Sequence, residues 1–143
     1  MHDPDEHSLR KVTLRDLVTS MARRQTVTAI LPFGNLDASE AFYARLGFKS
    51  ESTYAGYRIL SDGEGGEIHV SSAPAGWLFR HHNPFGIYIC SEDVDGAAAS
   101  FGQLPLWKPE EKPWGMYEFA LSDPDGTLVR IGWPTATNTT WYN

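Results

Sequence analysis

Three observations make this sequence an α+β fold of two βαβββ modules with an appended N-terminal helix. The order strand, helix, three strands occurs twice, and short apolar runs are broken by glycine-rich turns. The halves also echo each other at an offset of 58 residues, which sets Leu36 against Val94, Asp37 against Asp95, Ala41 against Ala99 and Tyr43 against Phe101. The 143 residues, 41% apolar and 13% aromatic, are enough to bury the core of one ordinary domain.

Residues 1–8 are polar with an early proline, and a loose segment is expected there. From Ser8, a capping residue, Leu14, Leu17, Val18 and Met21 recur at three- and four-residue spacing, and Arg23 and Arg24 suit a helix C-terminus. Met21 is also an alternative translation start, which would make the first 20 residues dispensable to the fold. The globular pattern opens with the β-branched run Thr26–Leu31, a strand stopped by the turn Pro32-Phe-Gly-Asn. A helix follows, capped by Asn35 or Asp37, with Glu40 three residues beyond Asp37 as in a capping box and an apolar face of Leu36, Phe42, Tyr43 and Leu46 ending at Gly47.

Strands are expected at Phe48–Thr53, Gly56–Ser61 and Glu67–Ser72, separated by Tyr54-Ala-Gly and Asp62-Gly-Glu-Gly-Gly. After the linker Ala73–Asn83 come a strand at Phe85–Cys90, a helix near Val94–Phe101 and strands around Leu106–Lys108, Tyr117–Ser122 and Leu128–Trp133. The turn Asp123-Pro-Asp-Gly126 joins the last two strands as a hairpin. The expected boundaries are an extension over 1–25, a domain over 26–135 with modules at about 26–75 and 83–133, and a tail over 136–143.

Charge narrows the partners. Residues 1–25 hold five bases and four acids, which leaves seven bases and fourteen acids for residues 26–143, a body of net charge minus seven. Such a body repels phosphate backbones and attracts cations, so a nucleic-acid partner is not expected and a cationic ligand is favoured. No apolar run approaches the about twenty residues of a membrane span, and the first twenty residues lack a signal peptide's apolar centre, so no membrane partner and a cytoplasmic location are expected. Cys90 is the one cysteine, which rules out an intrachain disulfide framework and reads as a small buried hydrophobe.

The segments Ala38–Phe48, Ala55–Leu60, Lys112–Gly115 and Phe119–Arg130 resemble the glyoxalase, bleomycin-resistance and extradiol-dioxygenase superfamily, the vicinal oxygen chelate proteins. Within it the likeness is greatest to bleomycin-resistance proteins and covers roughly residues 26–133. The resemblance implies that each module is a curled sheet forming half of a cup, with homodimers building or completing the ligand sites.

Enzymes of this superfamily hold a divalent metal through His and Glu side chains on strands facing into the cup. The matching positions here fall near Thr28, near Pro84, on His69 and on Arg130. Threonine and proline are poor ligands and a guanidinium repels a metal, which leaves His69 alone, so no metal and no cofactor are expected. The adjacent pair His81-His82 reads as solvated, since neighbouring side chains of an extended chain point to opposite faces. No serine-nucleophile elbow or phosphate-cradling glycine loop is present, and Glu110-Glu111 reads as part of a polar loop.

Five Trp and six Tyr exceed what a small core needs, and Tyr54, Tyr57, Trp77, Trp107, Trp114 and Tyr117 fall in loops or at strand ends. Aromatic faces with nearby carboxylates suit a planar cation. By resemblance, Tyr54 and Trp114 match the two aromatic positions that flank the planar tail of the glycopeptide drug. Arg130 and His69 are expected to face the cup, and a buried Arg130 requires an acidic partner, with Glu67 or Glu118 as candidates, or an anionic or carbonyl group on the ligand.

The expected site is therefore Tyr54, Tyr57, His69, Trp114, Tyr117 and Arg130. The expected function is sequestration of a planar or cationic, glycopeptide-like small molecule by a metal-free homodimer, without chemical change. The alternatives are a metal-dependent lyase, isomerase, dioxygenase or thiol transferase of the same superfamily, and a regulatory module acting through the N-terminal helix.

Overall fold

Side chains that alternate between core and solvent set the two sheets of this chain. The computed structural model describes residues 25–52, 54–78, 82–102 and 108–135. The first module consists of β1 (Ala29–Phe33), α1 (Leu36–Ala44), β2 (Lys49–Ser50), β3 (Tyr57–Ser61) and β4 (Glu67–Ser72). The second repeats it with β5 (Gly86–Cys90), α2 (Val94–Ala99), β6 (Glu110–Glu111), β7 (Met116–Ser122) and β8 (Leu128–Pro134). The sheets have the same strand order, β1-β4-β3-β2 and β5-β8-β7-β6. In each, the first strand runs parallel to the last and the other pairs are antiparallel.

Leu31 and Phe33 on β1, Leu60 on β3, and Ile68 and Val70 on β4 are buried in one cluster with Phe119, Leu121, Val129 and Ile131 from the second sheet. Tyr43 of α1, Phe48 before β2 and Val94 of α2 complete it. The remaining strand residues point to each sheet's other, helix-free face: Ile30, Tyr57, Ile59, Glu67 and His69 in the first sheet, Tyr88, Cys90, Glu118 and Arg130 in the second.

The DPDG turn of the second module also ties down the first. Asp123 accepts the Asp125 and Thr127 amides on Oδ1 at 2.8 and 3.0 Å, and Gly126 closes the turn at φ +87°, a conformation other residues avoid. Its Oδ2 accepts the hydroxyl of the fully buried Tyr43 at 2.7 Å. One residue pair on, Asp125 accepts the Gly34 amide at 2.8 Å and the Ser39 hydroxyl at 3.1 Å. The carboxylates of this turn thus join the two modules through helix α1.

Several expectations are corrected. Pro32 lies inside β1 rather than in a turn, which is tolerable because β1 is an edge strand paired only with β4. Asn35 caps α1 through the Ala38 amide, and Glu40 serves not in a capping box but in an ion pair with Arg58 at 3.4 Å. Glu110-Glu111 forms a short strand, not a loop, by pairing with Glu118 and Tyr117. Cys90 is exposed, because Ile87 and Ile89 take the core side of β5 and alternation turns Cys90 outward. The helix expected over 8–24, Trp107, His81 and the tail over 136–143 lie outside the described residues.

Candidate functional site

Each helix-free face carries one polar array. In the first sheet the Tyr57 hydroxyl lies 2.5 Å from His69 Nδ1, and His69 Nε2 lies 2.7 Å from Glu67 Oε1. A carboxylate only accepts, so Nε2 carries a hydrogen, and in the neutral ring Nδ1 accepts from the Tyr57 hydroxyl. The rings of Tyr57 and His69 meet edge to face at 5.3 Å. In the second sheet the buried Glu118 accepts Tyr88 Oη at 2.6 Å on one oxygen and Arg130 Nη1 at 3.2 Å on the other. Burial and the hydrogen bond to Glu118 hold the Tyr88 hydroxyl well above the usual tyrosine range.

Of the two carboxylates expected as partners for Arg130, Glu118 takes that place, while Glu67 pairs with His69. Arg130 remains 42% exposed, so its guanidinium is held by Glu118 while part of it stays open on the sheet face. Gly132 makes room for this array, since a Cβ there would meet the Tyr88 hydroxyl and would lie 2.7 Å from Glu118 Cβ.

The strand register also defines which residues stand opposite His69 and Arg130. They are Ile30 on β1 and Tyr88 on β5, not Thr28 or Pro84, both of which precede their strands. The shift changes the residues but not the chemistry, because a hydrocarbon, an imidazole bound to a carboxylate, a phenol and a guanidinium do not fit a divalent metal. Among the described residues no three His, Cys, Asp or Glu side chains cluster with ligand geometry.

Tyr54 and Trp114 occupy corresponding places in the two modules. Tyr54 opens the turn into β3, where the Tyr57 amide donates to its carbonyl at 3.3 Å, and Trp114 lies in the turn into β7, closed by Gly115 N to Lys112 O at 3.0 Å. They are 66% and 54% exposed. Tyr117 is placed elsewhere: it lies on the opposite face of β7 from Glu118, against the core, and donates to Asp95 of α2 at 2.5 Å. Trp77, also exposed, borders a groove of about 160 Å³ with Ile30, Pro32, Leu78 and Phe85.

Tyr88 was missed by sequence reasoning. Its signal lies in the 58-residue offset, which places it at the position of Ile30 in the first module. Glycine at 132, inside a strand, was the second clue, marking a close approach.

Two four-stranded mixed sheets of identical order, each with one helix on one face and an open polar array on the other, define a protein of the glyoxalase/bleomycin-resistance superfamily. No protein-family model matches the chain. A bleomycin resistance protein from Klebsiella pneumoniae is 34% identical over 111 residues, covering 73% of this chain and 88% of that protein. A crystal structure of a bleomycin-binding protein complexed with bleomycin aligns at TM-score 0.64 and 28% identity, covering 77% of this chain and 98% of its own. A bleomycin resistance determinant encoded on the transposon Tn5 aligns at TM-score 0.65 and 27% identity, covering 78% and 98%. The chain belongs to the bleomycin resistance protein family.

No helix among the described residues is long and apolar enough to cross a membrane.

Proposed function

We propose that this protein sequesters a planar, cationic glycopeptide of the bleomycin class as a metal-free homodimer in the cytoplasm, lowering the free drug without altering it. The observation that carries the reading is the pair of exposed aromatics, Tyr54 and Trp114, at corresponding hairpins of the two sheets. Such rings stack on a flat ligand and attract its positive charge, and the body's net charge of minus seven favours the same ligand. A solved relative of the same fold was crystallised with bleomycin. Tyr57 and His69 in one sheet and Arg130 in the other supply the polar contacts of the open faces. A second copy completes the cup by covering apolar side chains exposed among the described residues, such as Ile30 and Trp77.

The test is titration of chelator-treated protein with bleomycin while tryptophan fluorescence is followed, with mass spectrometry of the recovered drug. Saturable quenching and unchanged drug are expected. Trp114→Ala and Tyr54→Ala are each expected to weaken binding by about five- to thirtyfold, the worth of about 1–2 kcal/mol of stacking and cation–π contact. Chemically modified drug, or binding indifferent to both substitutions, would overturn the reading.

A further inference from the structure

A cavity of about 420 Å³ opens where the chain enters the fold. Its apolar wall is built from Phe48, Ile68, Ile87 and Ile89. Asp62, Glu64 and Glu67, from the β3–β4 turn and the start of β4, also line it, with Asp62 Oδ1 accepting the Glu64 and Gly66 amides and Glu67 paired with His69. Val27, 99% exposed, lies at its mouth two residues before β1. An occupant matched to this surface is apolar along one stripe and basic beside it.

The residues immediately upstream have that composition. Over 8–24 the chain carries Arg10, Lys11, Arg15, Arg23 and Arg24 against Asp16 alone, with Leu14, Leu17, Val18 and Met21 at helical spacing. The body it is joined to carries net charge minus seven. The segment ends three residues before Val27, a tether of about 10 Å, so it reaches the cavity without a linker. We infer that residues 8–24 of the same chain dock on this cavity, setting their apolar side chains against Phe48, Ile68, Ile87 and Ile89 and their bases against Asp62, Glu64 and Glu67. The docked segment is a built-in basic occupant of an acidic cavity, and this inference stands independently of which drug the protein binds.

Cys90 reports on it directly, because it is exposed, lines the cavity and is the chain's one cysteine. A short tether gives an effective concentration of order millimolar, so an intrinsic dissociation constant of about 0.1 mM protects the cavity about tenfold. In the full chain, reaction of Cys90 with a small aromatic disulfide reagent is expected to be about tenfold slower than in the double variant Leu14→Asp/Leu17→Asp. Glu64→Lys is expected to speed labelling in the parent chain and not in the double variant. Raising salt from about 0.1 to 1 M shortens the screening length from about 10 to 3 Å and is expected to do the same. Equal labelling rates in parent and double variant would overturn the inference. Protection lost on dilution would overturn it as well, by assigning the occupant to a second copy.

Discussion

Replacing Tyr43 by Phe isolates one of the bonds that join the two modules. The ring is fully buried and keeps its packing, so the change removes one hydroxyl, 2.7 Å from Asp123 Oδ2. Asp123, 5% exposed, retains two amide donors on Oδ1 and loses the partner of its other oxygen. A hydrogen bond to a charged group contributes about 1.5–3 kcal/mol, so a loss of about 2 kcal/mol is expected. For a chain of this size that lowers Tm by about 6 °C.

The loss depends on pH in a definite direction. Burial holds the Asp123 carboxyl above the usual carboxylate range, although Tyr43 and the two amides favour its ionised form. Because the folded-state pKa is raised, the stability gained from a neutral Asp123 is full below the unfolded pKa and is lost as pH rises through the folded one. The Tyr43 hydroxyl offsets that loss by binding the ionised form. The penalty of Tyr43→Phe is therefore expected to be largest near neutrality and to shrink as acid protonates Asp123. Urea unfolding of both proteins between pH 4 and pH 7 measures it. A penalty below about 0.5 kcal/mol at neutral pH, or one that does not change with pH, would refute the reasoning.

Other outcomes follow from the second sheet. Arg130→Gln leaves the buried Glu118 with Tyr88 alone and is expected to cost about 2 kcal/mol in urea unfolding, while adding Glu118→Gln to it recovers most of the loss. Gly132→Ala forces a methyl against Tyr88 and Glu118 and is expected to cost about 1–3 kcal/mol, partly relieved by Tyr88→Phe. In alkaline spectrophotometric titration Tyr43, Tyr88 and Tyr117 are expected to ionise late: burial comes first for Tyr43 and Tyr88, and the hydrogen bond to Asp95 for Tyr117. Tyr88→Phe is then expected to reduce the late amplitude and leave the early one unchanged.

Local chemistry made much of this molecule legible. Glycines at 56, 63 and 126 with positive φ stand at turns already visible as composition, and Asn35 and Asp93 cap helices at the 58-residue offset seen in the sequence. Glu67–Ser72 forms its strand over the expected residues, because its alternation matches the pleat and it is paired on both sides. Pro32 misled because its cost depends on whether a neighbouring strand needs its missing donor, and the β1 edge does not. Glu110-Glu111 is a strand only through its pairing with β7, which two polar residues do not announce.

The site divides along the same line. From its sequence alone this chain reads as a duplicated βαβββ protein, with Tyr54 and Trp114 in hairpins and a carboxylate for Arg130, because turns, periodicity and charge are local properties; its bleomycin-resistance kind comes from resemblance. Tertiary structure alone decided that Tyr117 faces α2, that Tyr88 rather than Pro84 stands opposite Arg130, and that Cys90 is exposed. Each of these depends on strand register, where a slip of one residue turns every side chain to the other face. The parallel pairings that set Ile30 beside His69 and Tyr88 beside Arg130 join residues about 40 positions apart, and no local window of the chain contains them.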